Sequence, residues 1–536
     1  MLFKLSALMS LPSSQSGKRF KAVHFGKGKY ISYSAKSTLL TELKEIGLLL
    51  DDLETSLHAL RKQRQALAST MTPFGPLLQT RNFLVGGVPT AFPIQHPLAM
   101  LYVAMSTSDR FAKCVREAIA VNGMPSHTNP WSIVLYFDEV TCGNPLSVGD
   151  KRQVQGVYWS IYQLGSTALS DESCWFEVLA LRTAIQKKID GAMSHIVEVV
   201  LSCFFCQETH DLRTGIVFDL KGHGVFMLVG VLEIMIADTK ALVEAIGSNG
   251  PNAVLPCFLC RHVVSMSAKQ KPALVNNDTF VALTCIDQTK WGKHTTASMK
   301  KVLTGLAEAS RTLTSTALKL KTTLSGFKHL ERNFLLNESL AIDAVHVLMF
   351  DWMHLIFQTG CWNREMWQVL IRCRRLRLPS YAAFAKYVLL WHFPSRGPSL
   401  RKLMNDAHDK SCTDAGYFKS QASQGISLYC IASKFFTDVV LPTCSDDSVK
   451  LCIASYELLC DVVDLLSMSK NGVVVSPDLL DTTVTSWANA HTAAYGDSLW
   501  YPKTHKTLHL ADALRKRIAR GRGAFLLACW AQDDAT

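Results

Sequence analysis

The sequence has no stretch of about 18 uninterrupted apolar residues. The nearest, Val225 to Ala237, is too short for a transmembrane helix, so no membrane partner is expected. It has no G-x-x-x-x-G-K-[ST], no G-x-S-x-G and no H-E-x-x-H, so phosphate-loop, hydrolase-elbow and zincin chemistries lack their motifs. Nothing in it points to a small-molecule substrate. It has no compact, evenly spaced cysteine framework: the 16 cysteines are scattered through 536 residues. A chain of that length buries a sizeable core without staples, which implies thiols in cores or metal sites and a reducing compartment. Internal repeats and low-complexity blocks are also missing.

Acids are missing from the start of the chain. The first is Glu42, preceded by Lys4, Lys18, Arg19, Lys21, Lys27, Lys29 and Lys36. An acid-free basic segment reads first as a nucleic-acid-binding arm, second as an irregular tail and third as a mitochondrial targeting peptide. Over the whole chain Lys and Arg exceed Asp and Glu by 56 to 44, a net charge of +12, which favours a polyanionic partner only weakly. Charged residues at 19% and hydrophobic ones at 48% are ordinary for a globular protein.

What is present is organised around Trp131 to Asn144, WSIVLYFDEVTCGN. Ile133 to Phe137 are β-branched, aliphatic or aromatic, the texture of a buried strand, and the run drops onto Asp138. An acid closing a buried strand is costly unless something binds it, and a divalent cation does so well. Glu139 points to the opposite face and stays out of the site. Gln153 to Gly165 and Cys174 to Leu181 read as two further strands and Arg182 to Phe205 as a helix. Val225 to Asp238 reads as a fourth strand, again ending on an acid. Before this core, 1–37 is a basic tail and 38–125 a helical region. The latter holds a Leu-rich helix from about Thr38, a Pro/Gly-rich loop from Pro73 to Pro97 and a helix from Pro97 to Val121. The first part of the core spans 126–262, a mostly helical insertion 263–498 and a closing segment 499–536.

Cys257-x-x-Cys260 is a good half of a zinc site, and His505-x-x-x-His509 puts two imidazoles on one helical face. Spacing alone does not join them. Cys203-x-x-Cys206, with Phe204 and Phe205 between the thiols, reads as core. Asp351-Trp-Met-His354 reads as a cap or one buried hydrogen bond, with a hidden ligand as the sharper alternative. Asp533 and Asp534 near the chain end are, alone, two acids on a tail.

Together these residues resemble a family. FDEVT at Asp138, the strand-end Asp238, the CxxC nineteen residues later, DWMH at 351–354 and PKTHKTLH at 502–509 are similar to the transposases of CACTA (En/Spm) and plavaka-like cut-and-paste elements. More distantly they are similar to the catalytic core of the V(D)J recombinase. The resemblance implies an α/β ribonuclease-H-like core with a mixed sheet, carrying a large all-α insertion and a helical N-terminal region. It implies Asp138 and Asp238 as ligands of catalytic Mg²⁺ or Mn²⁺. It further implies a structural Zn²⁺ on Cys257, Cys260, His505 and His509. The third acid falls at Asp533, an Asp where the family carries Glu, with Asp351 as the fallback. DNA is the implied partner and phosphodiester hydrolysis followed by strand transfer the implied reaction. A homodimer and nuclear action follow from the same resemblance. The sequence stops three residues after Asp533, which suggests a shortened copy. The alternative is a catalytically inactive or domesticated relative, a zinc-containing DNA-binding protein.

Overall fold

The computed structural model describes residues 66, 68–141, 153–205, 210–265, 279–393 and 400–521. The basic tail, the helix expected from about Thr38, Cys206 and Asp533 lie outside the described residues. After a short antiparallel pair, Met71–Thr72 with Gly75–Pro76, comes a ribbon, β1 (Leu78–Val85) and β2 (Val88–Gln95), also paired antiparallel. This corrects the loop expected there. Gly86 and Gly87 turn the hairpin with positive φ, and both amides donate to the Asp190 carboxylate, at 3.0 and 2.6 Å. A Gly-Gly pair between alternating residues was the signal that pointed to it.

The helix expected over Pro97 to Val121 is two, α1 (Pro97–Thr107) and α2 (Asp109–Asn122). Ser108 breaks it. Its backbone is extended, and its hydroxyl accepts from the amide of Phe111, so it serves as the N-cap of α2.

The core is a five-stranded mixed sheet. Its strands are β3 (Trp131–Thr141), β4 (Gln153–Ile161) and β5 (Phe176–Arg182), with helix α3 (Ala192–Phe205) after them. A hairpin of β6 (Ile216–Leu220) and β7 (Gly224–Leu228) leads into β8 (Gly230–Ala237), and β9 (Leu348–Phe350) completes the sheet. The order across it is β9-β8-β3-β4-β5. β3 is antiparallel to β4 and β4 to β5, whereas β8 runs parallel to both β3 and β9. β3 lies at the centre, and Trp131, Ile133, Val134, Leu135 and Phe137 are all fully buried. That burial on both faces explains its near-continuous apolar run.

Two sequence expectations change here. The apolar run Val225 to Asp238 is not one strand: β7 pairs with β6 outside the sheet, and only β8 enters it. The break is at Gly230, whose amide bonds the carbonyl of Leu212 and where a Cβ would lie 2.7 Å from the Leu212 side chain. The fifth strand, β9, falls inside the stretch read as a helical insertion.

Most of the rest of that stretch is helical, beside a short parallel pair, Val263–Val264 with Val281–Ala282. The helices that follow β8 include α4 (Thr239–Ile246), α5 (Thr296–Thr312), α6 (Ser315–Ser325), α7 (Trp352–Ile356), α8 (Cys361–Arg375) and α9 (Tyr381–Leu389). After them come α10 (Ala422–Phe435), α11 (Asp447–Lys470), α12 (Pro477–Tyr495), α13 (Pro502–Thr507) and α14 (Leu510–Ala519). Among the described residues, Ala422–Thr443 is the one helical run long and apolar enough to cross a membrane, with a mean hydropathy of 1.2. Its Leu428, Ile431, Phe435 and Phe436 are buried. The helical core also buries a carboxylate. Glu365 of α8 is fully buried and accepts from Trp487 Nε1 at 2.7 Å, His491 Nδ1 at 2.7 Å and Ser455 Oγ at 3.1 Å. It thereby ties α8 to α11 and α12.

Candidate functional site

The strand register assembles the acids. Phe137 of β3 is paired with Ala237 of β8, and Ala237 with Phe350 of β9. The next residue on each of these adjacent parallel strands is an acid: Asp138, Asp238 and Asp351. All three therefore stand at the C-terminal edge of the sheet, one strand spacing apart, roughly 4.8 Å.

Their surroundings differ. Asp138 accepts from the Tyr136 hydroxyl at 2.6 Å and from the Glu139 amide at 2.7 Å. Burial pushes its pKa up. The Tyr136 bond and the nearby His354 oppose that shift, and the charge of Asp238 adds to it. Asp238 caps α4, accepting from the Ala241 amide at 2.6 Å. Asp351 is buried, caps α7 by accepting from the Met353 amide at 3.0 Å, and is also bonded to His354 Nδ1. It is thus both the cap and the buried hydrogen bond that its sequence suggested. The sequence did not reveal that the same residue closes the fifth strand beside the other two acids. Three residues, Leu348 to Phe350, are too few to show a strand period.

Glu139 is held away from this edge by Thr183 Oγ1 at 3.0 Å and Lys240 Nζ at 3.3 Å. Among the described residues, no three of the acids bring their oxygens together closely enough to form a ligand group on their own.

Tyr136 is held in turn. Its ring stacks on Tyr158, centroids 5.9 Å apart, and meets the edge of Trp175. Gly156 lies opposite Asp138 on β4, and a Cβ there would come within 2.5 Å of the Tyr158 ring. Gly156→Ala should therefore push Tyr158 onto Tyr136. The expected destabilisation is about 1–3 kcal/mol, read by thermal melting. Unchanged melting would show that the tyrosine stack has room to yield.

The second constellation is Cys257, Cys260, His505 and His509, which come together with all four ligand atoms within 4.8 Å of one another. Both imidazoles present Nε2. The separations are 3.2 Å for His505 to His509, 3.4 Å for Cys260 to His505, 3.3 Å for Cys260 to His509 and 3.5 Å for Cys257 to His509. Tetrahedral zinc, with Zn–S about 2.3 Å and Zn–N about 2.0–2.1 Å, would set N···N near ~3.3 Å and N···S near ~3.5 Å. The donor set therefore fits such an ion without rearrangement. All four residues are buried, and Trp291 covers both imidazoles at 4.4 and 4.9 Å. A closed Cys₂His₂ cage of this kind can hold a structural metal such as zinc and leaves no open position for substrate. Burial lifts the Cys260 thiol well above its usual pKa. At Cys257 the hydrogen bond to Cys260 and the facing His509 overcome burial and pull the thiol well below. A metal bound here would take both sulfurs as thiolates and displace their protons.

The cage and the acid edge share a wall. Phe350, the last residue of β9, packs on Phe258 between the two cysteines and on His509, centroids 4.9 and 5.8 Å away. The cage therefore braces the strand that ends in Asp351. On α13, Lys503 lies on the acid side, donating to the carbonyls of His354, at 2.9 Å, and Gln358.

In the basic run from Arg515, Arg515 pairs with Asp478 and Asp481, Lys516 with Asp512, and Arg520 with Asp343. Arg517 is buried over the Tyr162 ring at 4.3 Å. Arg515, Lys516 and Arg520 are thus ion-paired with acids of the chain, and Arg517 is packed on an aromatic ring. Cys203 is buried in α3, as its flanking phenylalanines implied.

No protein-family model matches the chain, and no curated protein matches it.

Proposed function

We propose that the chain is a metal-dependent DNA nuclease and strand-transfer enzyme of the CACTA (En/Spm) and plavaka-like transposase type, built on a ribonuclease-H-like core. The observation that carries this reading is the paired register that sets Asp138 and Asp238 side by side at the ends of adjacent parallel strands. The strand order β9-β8-β3-β4-β5, antiparallel on one side of β3 and parallel on the other, supports the fold. The Cys257, Cys260, His505 and His509 cage, joining a CxxC after the second acid to a paired-His helix, supports the family.

In this reading Asp138 and Asp238 hold Mg²⁺ or Mn²⁺, with Asp533 as the third ligand. The ions would supply an activated water and neutralise the charge of the leaving 3′-oxygen. The chain's own contribution is positional. Tyr136 and the Glu139 amide fix the Asp138 carboxylate, the α4 cap fixes Asp238, and the zinc cage fixes β9. The freed 3′-hydroxyl would then attack target DNA in the nucleus, from a homodimer. A second reading, a zinc-containing DNA-binding protein that does not cut, is favoured by one observation: Asp351 is fully engaged and no three described acids converge.

Asp138→Asn tests the choice with two readouts. Mg²⁺- or Mn²⁺-dependent nicking of duplex DNA should fall by on the order of a thousandfold or more. Burial holds the Asp138 pKa above its ordinary 3.8. A raised folded-state value adds stability below the unfolded pKa, and that stability is lost as pH rises through the folded one. The ionised carboxylate is therefore a cost at neutral pH. Without added metal, Asp138→Asn should melt higher than the parent at pH 7, and the gap should close toward about pH 4. Equal nicking by variant and parent, or none by either, would remove the nuclease reading and leave the DNA-binding one.

A further inference from the structure

Arg364 differs from Arg372 and Arg374 of the same helix, α8. Arg372 donates to the carbonyls of Ser448 and Ala494, and Arg374 pairs with Asp409. Arg364, in the first turns of α8, makes neither kind of contact among the described residues. Its guanidinium lies 3.5 Å from the centroid of the Tyr501 ring and 5.8 Å from that of Tyr417. All three side chains are half-buried. A guanidinium stacked on an aromatic face keeps its in-plane N–H edge free, and that edge matches two oxygens of one phosphate. Holding the ring plane in advance also lowers the ordering cost of binding.

The location adds to the chemistry. Tyr501 is the N-cap of α13, and Lys503, two residues on, donates to the carbonyl of His354, the residue whose ring is bonded to Asp351. The fork thus lies at the end of α13 that reaches toward the acid edge. It is contributed by the helical region, not by the sheet.

We propose that Arg364, steadied between Tyr501 and Tyr417, grips one phosphate of a DNA backbone and sets the strand beside Asp138 and Asp238. This rests on the nuclease or DNA-binding reading of the acid edge and adds the residue through which the helical region takes hold of the substrate. The grip is sequence-independent, because phosphate contacts position a duplex and do not read it.

The test is equilibrium binding of the full chain to a short DNA duplex, without added divalent ions, across about 50–200 mM salt. Arg364→Ala should weaken binding by about tenfold and lower the slope of log affinity against log salt by about one. Arg364→Lys keeps the charge and loses the fork, so it should keep the slope and lose part of the affinity. This second variant decides the matter if the alanine protein does not fold. Tyr501→Leu should weaken binding with the slope unchanged, since only the stacking platform is lost. Parent-like binding by both Arg364 variants overturns the grip, whatever the nicking assay gives. A lower melting temperature with unchanged salt slope also overturns it and makes Arg364 a pin between α8 and α13. No duplex binding by the parent overturns the grip and the DNA reading together. Loss of nicking in Asp138→Asn alongside parent-like binding by the Arg364 variants overturns the grip alone.

Discussion

Cys257→Ser should strip the chain of a bound zinc ion and cost on the order of 5 kcal/mol of stability. The four ligands are buried and spaced as a tetrahedral ion requires, so the parent should carry one zinc per chain by elemental analysis. Serine removes the thiolate donor, leaving three strong ligands in the cage. The magnitude comes from topology. Cys260 and His505 lie 245 residues apart. Cross-linking a loop that long takes away unfolded-chain entropy worth about 5 kcal/mol in the chain-entropy picture. A chelator should reproduce the loss in the parent and do nothing further to the variant. Cys203→Ser, a core thiol outside the cage, should leave the zinc content untouched. A parent protein that purifies without zinc, or a variant that keeps it, would dispose of the cage.

Glu365→Ala should be the most damaging single change in the helical region, at about 3–5 kcal/mol. Glu365 is fully buried, and its two oxygens take three donors from α11 and α12. Alanine leaves a cavity and strands Trp487 Nε1 and His491 Nδ1 without an acceptor, and a buried donor left unpaired costs its full desolvation. Glu365→Gln keeps one carbonyl for Trp487 and His491 and can turn its amide to Ser455, so about 1 kcal/mol is expected. Urea melts of the three proteins separate the cases. An alanine variant as stable as the glutamine one would mean that the network adds nothing beyond volume.

Much of the sheet was legible in the sequence, for physical reasons. β3 and β4 lie at or near the centre, and their β-branched and aromatic runs reflect two buried faces. The cage was legible as two half-sites, since each pair is set by local spacing. That the halves meet is a tertiary fact that spacing cannot supply, and it came from the resemblance. What stayed hidden has identifiable causes. β9 is three residues long. Gly230 hides the break between β7 and β8 inside one apolar run. The β1–β2 ribbon lay under prolines that read as loop, although Gly86-Gly87 marked its turn. The importance of Asp351 was underread because its hydrogen bonds explain it locally, while its register beside Asp238 becomes visible only once β9 is placed. Arg364 carried no sequence signal, because its partners Tyr417 and Tyr501 are remote in the chain.

The cage also imposes a calendar on biosynthesis. Its thiol half is made 245 residues before the imidazole of His505. At roughly 5–20 residues per second, a ribosome needs roughly 12–50 s to cover that distance. Throughout that interval Cys257 and Cys260 are a bidentate thiol pair on a nascent chain, open to oxidant and to stray soft metals. The helices made in between must collapse without the fastening that will later hold them to the sheet. Metal loading would therefore be a late event in the life of each molecule. Cells short of zinc should accumulate chains whose helical region is folded but whose sheet edge, and with it the strand ending in Asp351, is not yet secured.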